Sequence, residues 1–188
     1  RLQMTYPFKN LENFTLARLL DRSLELFSDN DSFGNVGEKA MTYAEFHKRV
    51  MEMVKLLKAQ GVSKGDRVIL LSENMPNWGV AYFAVTYFGG VIVPVLPDFH
   101  PSDVHRIMEH SGAKAAFASS KYQETIASCP NSLIDFSINL NTLTMNHELD
   151  TSNKEIQETT VPQEEDLAAI IYTSGTTGNS KGVMLSHK

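Results

Sequence analysis

Apolar residues recur along this chain in two alternating rhythms. Leu16, Leu19, Leu20, Leu24 and Phe27 repeat at helical spacing, with Asn13 ahead of them as a candidate N-cap. Val36 to Met41 reads as a short extended hairpin around Gly37. Thr42 and Glu45 form a Thr-x-x-Glu capping box, which opens a second helix. Phe46, Val50, Met53, Val54 and Leu57 share one face of that helix, and Gly61 stands where its C-terminal cap belongs. The apolar run from Arg67 to Ser72 follows Gly65-Asp66 and predicts a buried strand. Pro76 to Phe88 predicts a helix with its proline in the first turn. Strand, helix and strand follow at Val91–Val95, Ser102–His110 and Lys114–Ala118, with a possible fourth strand at Leu133–Ile138.

Strands alternating with helices of this length predict an α/β fold, a mostly parallel sheet flanked by helices and joined by right-handed crossovers. Strands covered on both faces should be apolar throughout, and these are. Asn139 to Gln163 breaks the rhythm, being polar, acidic and without period. It reads as a surface excursion or linker, with an irregular hairpin as the alternative. Leu167 to Tyr172 resumes as a strand. The expected organisation is a first α/β lobe over residues 1–138 and an acidic linker over 139–166. Residues 167–188 then hold a strand, a Gly/Ser/Thr loop and the start of the next element.

Composition narrows the function classes. The chain has 188 residues, 42% hydrophobic and 21% charged, which excludes collagen-like, coiled-coil and wholly disordered chains. Its net charge of −5 gives no support to a nucleic-acid partner. Acid is concentrated between Tyr122 and Ser180, where nine carboxylates face one basic residue, Lys154. The single cysteine, Cys129, excludes an internal disulfide and multi-cysteine zinc sites, and a cytoplasmic location is expected. The apolar stretch from Val80 to Leu96 is 17 residues, short of the roughly 20 needed to span a bilayer. Gly89-Gly90 divides it into helix, turn and strand, so no transmembrane segment is expected. The first residues carry no charged-then-apolar signal pattern, so no signal sequence is expected among them.

Candidate chemistry concentrates in Thr173–Lys181, T-S-G-T-T-G-N-S-K. Phosphate recognition needs several donors converging from one turn. Glycines let backbone N–H groups approach, hydroxyls add neutral donors, and lysine adds a compact positive charge. Thr173, Ser174, Gly175, Thr176, Thr177, Gly178 and Lys181 supply all three. The spacing is that of neither the Walker P-loop nor the G-x-G-x-x-G dinucleotide fingerprint. A Ser/Thr/Gly-rich surface turn is the plainer reading of composition alone.

The ordered string Y-T-S-G-T-T-G-x-x-K-G-V resembles the signature loop of the adenylate-forming superfamily, which comprises acyl-CoA synthetases, luciferases and peptide-synthetase adenylation domains. Met41-Thr42-Tyr43-Ala44-Glu45-Phe46 is similar to that family's L-T-Y-x-E-L element. Ser72-Glu73-Asn74-Met75-Pro76-Asn77-Trp78 resembles its S-x-N-x-P-E-W segment, with Asn77 in place of the usual glutamate. Phe88 to Val95 and Ser111-Gly112-Ala113-Lys114 fit as well, so the likeness covers about residues 35–188 apart from the acidic excursion. Asn179-Ser180 departs from the frequent x-Pro pair, which removes a fixed φ from the loop.

The resemblance implies a two-step reaction. A carboxylic acid, by the style of the Glu73–Trp78 segment a long- or medium-chain fatty acid, attacks the α-phosphate of Mg-ATP and gives an acyl-adenylate. Coenzyme A then takes the acyl group. It implies that Thr173, Ser174, Gly175, Thr176, Thr177, Gly178 and Lys181 contact the ATP phosphates, Thr176 and Thr177 foremost. The family's metal-binding glutamate and catalytic lysine lie beyond position 188. The expectation is therefore an N-terminal fragment, inactive alone and self-associating through the face that the rest of its domain would cover. An enzyme loading a carrier protein and a non-catalytic nucleotide-binding module are the alternatives.

Other residues carry plainer expectations. His100, His105 and His110 are spaced by five, about 140° past a full helical turn, so a shared metal face is not expected and solvated surface positions are. Trp78, Tyr82, Phe83, Tyr87 and Phe88 read as core, and Cys129 as inert. His187, in L-S-H-K, reads as structural.

Overall fold

The computed structural model describes residues 13–146, 161–173 and 181–188. Five helices and seven strands run in the order α1 (Leu16–Phe27), α2 (Tyr43–Ala59), β1 (Arg67–Leu71), α3 (Pro76–Tyr87), β2 (Val91–Val95), α4 (Pro101–Ser111), β3 (Ala115–Ala118), α5 (Gln123–Ala127), β4 (Phe136–Asn139), β5 (Thr144–Met145), β6 (Leu167–Thr173) and β7 (Lys181–Ser186). They build the expected α/β architecture around one seven-stranded sheet, ordered β5-β4-β3-β1-β2-β6-β7. The five inner strands β4, β3, β1, β2 and β6 are parallel. The outermost strands, β5 and β7, return antiparallel to their neighbours.

Side-chain alternation along the strands divides the core between two faces. Val68 and Leu70 of β1, Ile92 of β2 and Phe117 of β3 join Val50, Val54 and Leu57 of α2 and Val80, Ala84 and Val85 of α3. Ile69 and Leu71, Val93 and Val95, and Ala116 and Ala118 point the other way. There they meet Val104, Ile107 and Met108 of α4. The central strands are thus buried on both faces, as their continuous apolar runs demand.

Local chemistry sets the element ends. Thr42 and Glu45 exchange both hydrogen bonds of the capping box, at 2.9 and 3.2 Å. Gly61 follows α2 with φ +85°, where a side chain would be strained. The buried residues of α2 are the five read from its periodicity. In α1, Thr15 is the cap rather than Asn13, its hydroxyl accepting from the Arg18 N–H at 3.2 Å. Only Ala17 and Leu20 of α1 are buried, while Leu19 is exposed, because the helix packs at the margin of α2 and α3.

The apolar stretch at 80–96 splits as its glycines require. Gly89 takes φ +85°, and a Cβ on Gly90 would lie 2.8 Å from the Val85 carbonyl oxygen. Among the described residues no helix is long and apolar enough to cross a membrane. The excursion begins as a hairpin, with β5 pairing Thr144 to Asn139 and Met145 to Ile138. Its acidic centre, residues 147–160, lies outside the described residues. Pro94 has no N–H to offer, and the ladder from β2 to β6 reduces to one register pair, Ile92 with Ala169.

Candidate functional site

The carboxyl ends of parallel strands are where α/β sheets bind ligands, and Thr173 closes β6 at that edge. β7 returns alongside it in full register, from Thr173 opposite Lys181 to Ile170 opposite Met184. The two ends of the candidate loop are therefore held as a facing pair, both exposed. Ser174, Gly175, Thr176, Thr177 and Gly178 lie outside the described residues.

One step below that pair, Tyr172 stands opposite Gly182. The Tyr172 ring is buried, and burial pushes its phenol above its ordinary range. Its hydroxyl lies 2.7 Å from Nδ1 of His110 on α4, and the two rings meet edge-on at 89°. On the hairpin side, a Cβ at Gly182 would come within 2.9 Å of Ile170 Cγ2 and 3.3 Å of the Tyr172 ring. The glycine is what lets β7 lie this close.

The other end of the hairpin is tied by charge. Lys64 pairs with Asp166 at 2.5 Å and Lys188 with Glu164 at 2.9 Å. The Gln163 N–H and then Lys64 hold the Asp166 carboxyl below its usual value. The Phe14 N–H and then Lys188 do the same for Glu164. His187 accepts the Leu16 N–H on Nδ1 at 3.2 Å, closing one of the open donors at the start of α1. Burial draws its imidazole below the ordinary value. The structural reading of His187 therefore has a specific content: it ties the end of β7 to α1.

At the same edge of the sheet, the Ser119 hydroxyl donates to Glu73 at 2.6 Å, bridging the ends of β3 and β1. That bond, before any other cause, lowers the Glu73 carboxyl. Beside the start of α3 an open groove of about 440 Å³ is lined by Phe33, Lys39, Arg49, Met75 and Asn77, with Arg49 already donating to Asn77 at 3.4 Å.

His100 and His110 are exposed, as expected of surface positions, and His105 is half-buried; each makes its own contact. His100 caps the helix by accepting from the Ser102 N–H. His105 donates from Nε2 to the Thr125 carbonyl at 2.8 Å, and His110 holds Tyr172. Among the described residues no group of His, Cys, Asp and Glu could hold a metal ion. Trp78, Tyr82 and Phe83 pack against the core, and Cys129 is buried with its thiol pushed up by burial. Spacing predicted neither the His110 nor the Gly182 contact with Tyr172. Tyr172 and His110 are 62 positions apart, so only the fold brings them together.

Comparison with known proteins gives the class to which this architecture belongs. The family model for AMP-binding enzymes matches residues 20–188, and the chain belongs to that family. It is 28% identical over 184 residues to 4-hydroxybutyrate–CoA ligase 2 of Metallosphaera sedula, covering 90% of this chain and 33% of that ligase. It is 29% identical over 174 residues to tyrocidine synthase 3 of Brevibacillus parabrevis, covering 93% of this chain and 3% of the synthase. The solved fatty acyl CoA synthetase of Mycobacterium tuberculosis shares the fold, with a TM-score of 0.75 at 20% identity over 93% of this chain and 35% of that one. The chain thus spans about a third or less of these relatives' length.

Proposed function

We propose that this chain is the phosphate-gripping part of an enzyme that activates a carboxylic acid with ATP. The observation that carries the reading is the β6–β7 hairpin, which presents Thr173 and Lys181 as a facing pair at the carboxyl edge of the sheet. The donor set from Thr173 to Lys181 suits a polyphosphate: five hydroxyls, two glycines and one lysine. A carboxylate is a poor acyl donor because its leaving group would be oxide. A carboxylate oxygen attacks the α-phosphorus of Mg-ATP and displaces pyrophosphate, and the resulting acyl-adenylate carries AMP as its better leaving group.

Thr173, Ser174, Gly175, Thr176, Thr177, Gly178 and Lys181 hold the β- and γ-phosphates while negative charge gathers on the departing pyrophosphate. This is positioning and charge stabilisation, not nucleophilic catalysis. A fatty acid is the favoured substrate and coenzyme A the favoured acceptor. Support for the acid comes from the Glu73–Trp78 segment, and for the acceptor from the CoA ligase relative. The peptide-synthetase relative favours a carrier protein as the second acceptor to test.

Carboxylate-dependent ATP–pyrophosphate exchange tests this reading, run on the full-length protein with a panel of acids and on the 188-residue chain beside it. Exchange by the full-length protein and none by the shorter chain is expected. Thr176→Val and Lys181→Ala should each lower the exchange rate by about 10²-fold, the order seen when a donor to a developing anion is removed. No exchange with any acid, from a folded protein, would favour a nucleotide-binding module without turnover.

A further inference from the structure

We propose that His110 is a positioning residue for the loop, acting through Tyr172. The inference rests on the functional reading above and assigns a role to a side chain outside the loop itself.

Tyr172 is the residue immediately before the loop, and its ring is fixed from two sides. On one side the hydroxyl is 2.7 Å from His110 Nδ1, with the imidazole edge-on to the ring. On the other, the Cα of Gly182 lies so close that a methyl group there would press on the ring and on Ile170. His110 stands in the last turn of α4, a helix anchored by Val104, Ile107 and Met108 in the core. Its C-terminal carbonyls are held in turn by Arg67 at the start of β1, with Nε 2.8 Å from the Ser111 oxygen.

A run of contacts therefore links the central sheet, through α4 and the exposed His110, to the stem of the loop. Without the hydrogen bond, the phenol would still be buried but no longer fixed in orientation. Thr173 and Lys181 would then diverge from the spacing that the hairpin sets. Catalysis by positioning is sensitive to shifts of this kind, since a misplacement of about 1 Å can cost about 10²-fold in rate.

The test uses His110→Ala, His110→Asn and Tyr172→Phe, the His110→Ala/Tyr172→Phe double variant, and His105→Gln as a control on the same helix. Two readouts are taken. The first is pyrophosphate exchange by the full-length protein. His110→Ala and Tyr172→Phe should each lower kcat about 10-fold with KM for the acid unchanged, and the double variant should be no worse than either. His110→Asn, whose side chain reaches the Nδ1 position, should recover most of the rate, and His105→Gln should match the unmodified protein.

The second readout is amide hydrogen exchange on the 188-residue chain, which needs no nucleotide. Exchange at Tyr172, Thr173 and Gly182 should quicken in His110→Ala and Tyr172→Phe, while the β1 amides stay protected. Additive losses in the double variant, or unchanged hairpin amides, would overturn the proposal. Absence of pyrophosphate exchange in the unmodified protein would overturn the functional reading instead, and the amide data would still decide whether His110 fixes the stem.

Discussion

The centre of the sheet and its β6–β7 end solve different problems with the same backbone geometry. Strands β1, β2 and β3 are covered on both faces, and Ile69, Leu70 and Phe117 are fully buried. The β6–β7 hairpin is covered far less, and β7 is exposed along its whole length. Val183, Met184 and Leu185 are 49, 72 and 42% exposed, and the hairpin's fixity comes from a few placed contacts: Tyr172 with His110, Gly182 against the ring, and two ion pairs. Burial makes the first region a scaffold. Discrete contacts make the second an adjustable support for a loop, and regions held in this way open at lower free energy than a core.

The sharpest way to break this contrast is Phe117→Ala. Truncating a fully buried aromatic should cost about 3–5 kcal/mol, and urea denaturation should show sheet and hairpin lost together. Gly182→Val should cost about 1–3 kcal/mol through overpacking against Ile170 and Tyr172. Hydrogen exchange should confine that damage to the hairpin, and if β1 loosens as well, the two regions are not separable. Arg67→Met removes hydrogen bonds to the Ser111 and Gly112 carbonyls and should cost about 1–2 kcal/mol by urea midpoint, loosening α4 first. Thr42→Ala should cost about 1 kcal/mol and fray α2 while leaving the hairpin amides unchanged.

Acid should act on the hairpin before the centre. His187 has its folded pKa drawn below the ordinary 6.5, so folding favours the neutral ring. Its contribution is complete above 6.5 and is lost as pH falls through the lower folded value. Glu164 and Asp166, also lowered, lose theirs further down, as each is protonated. Protection of the Leu16 amide, whose N–H donates to His187, should therefore fall as pH drops below 6.5, in advance of β1.

What the sequence disclosed follows the same division. The central strands were legible because a strand buried on both faces must be apolar at every position, and RVILL and VIVPV are nearly so. The α2 face and its capping box were legible because both are local patterns. At α1 the sequence pointed to Asn13 as the cap, and the packed structure has Thr15 there instead. Residues 182–185 read as an apolar run, but nothing local says that they return along β6. The loop's donor chemistry was written in residue types. Its footing on His110 was not, since that contact joins a helix to a strand across the acidic excursion.

The single register pair between β2 and β6 also bears on how the chain is made. Ile92 and Ala169 are joined across the whole acidic excursion, so during synthesis β1 to β4 can assemble while β6 is still to come. In that interval the outer edge of β2 is open, with Val91, Ile92 and Val93 beside it. Such an edge invites another nascent chain to add a strand. Pro94 stands in it and, having no N–H, offers such a partner one donor fewer.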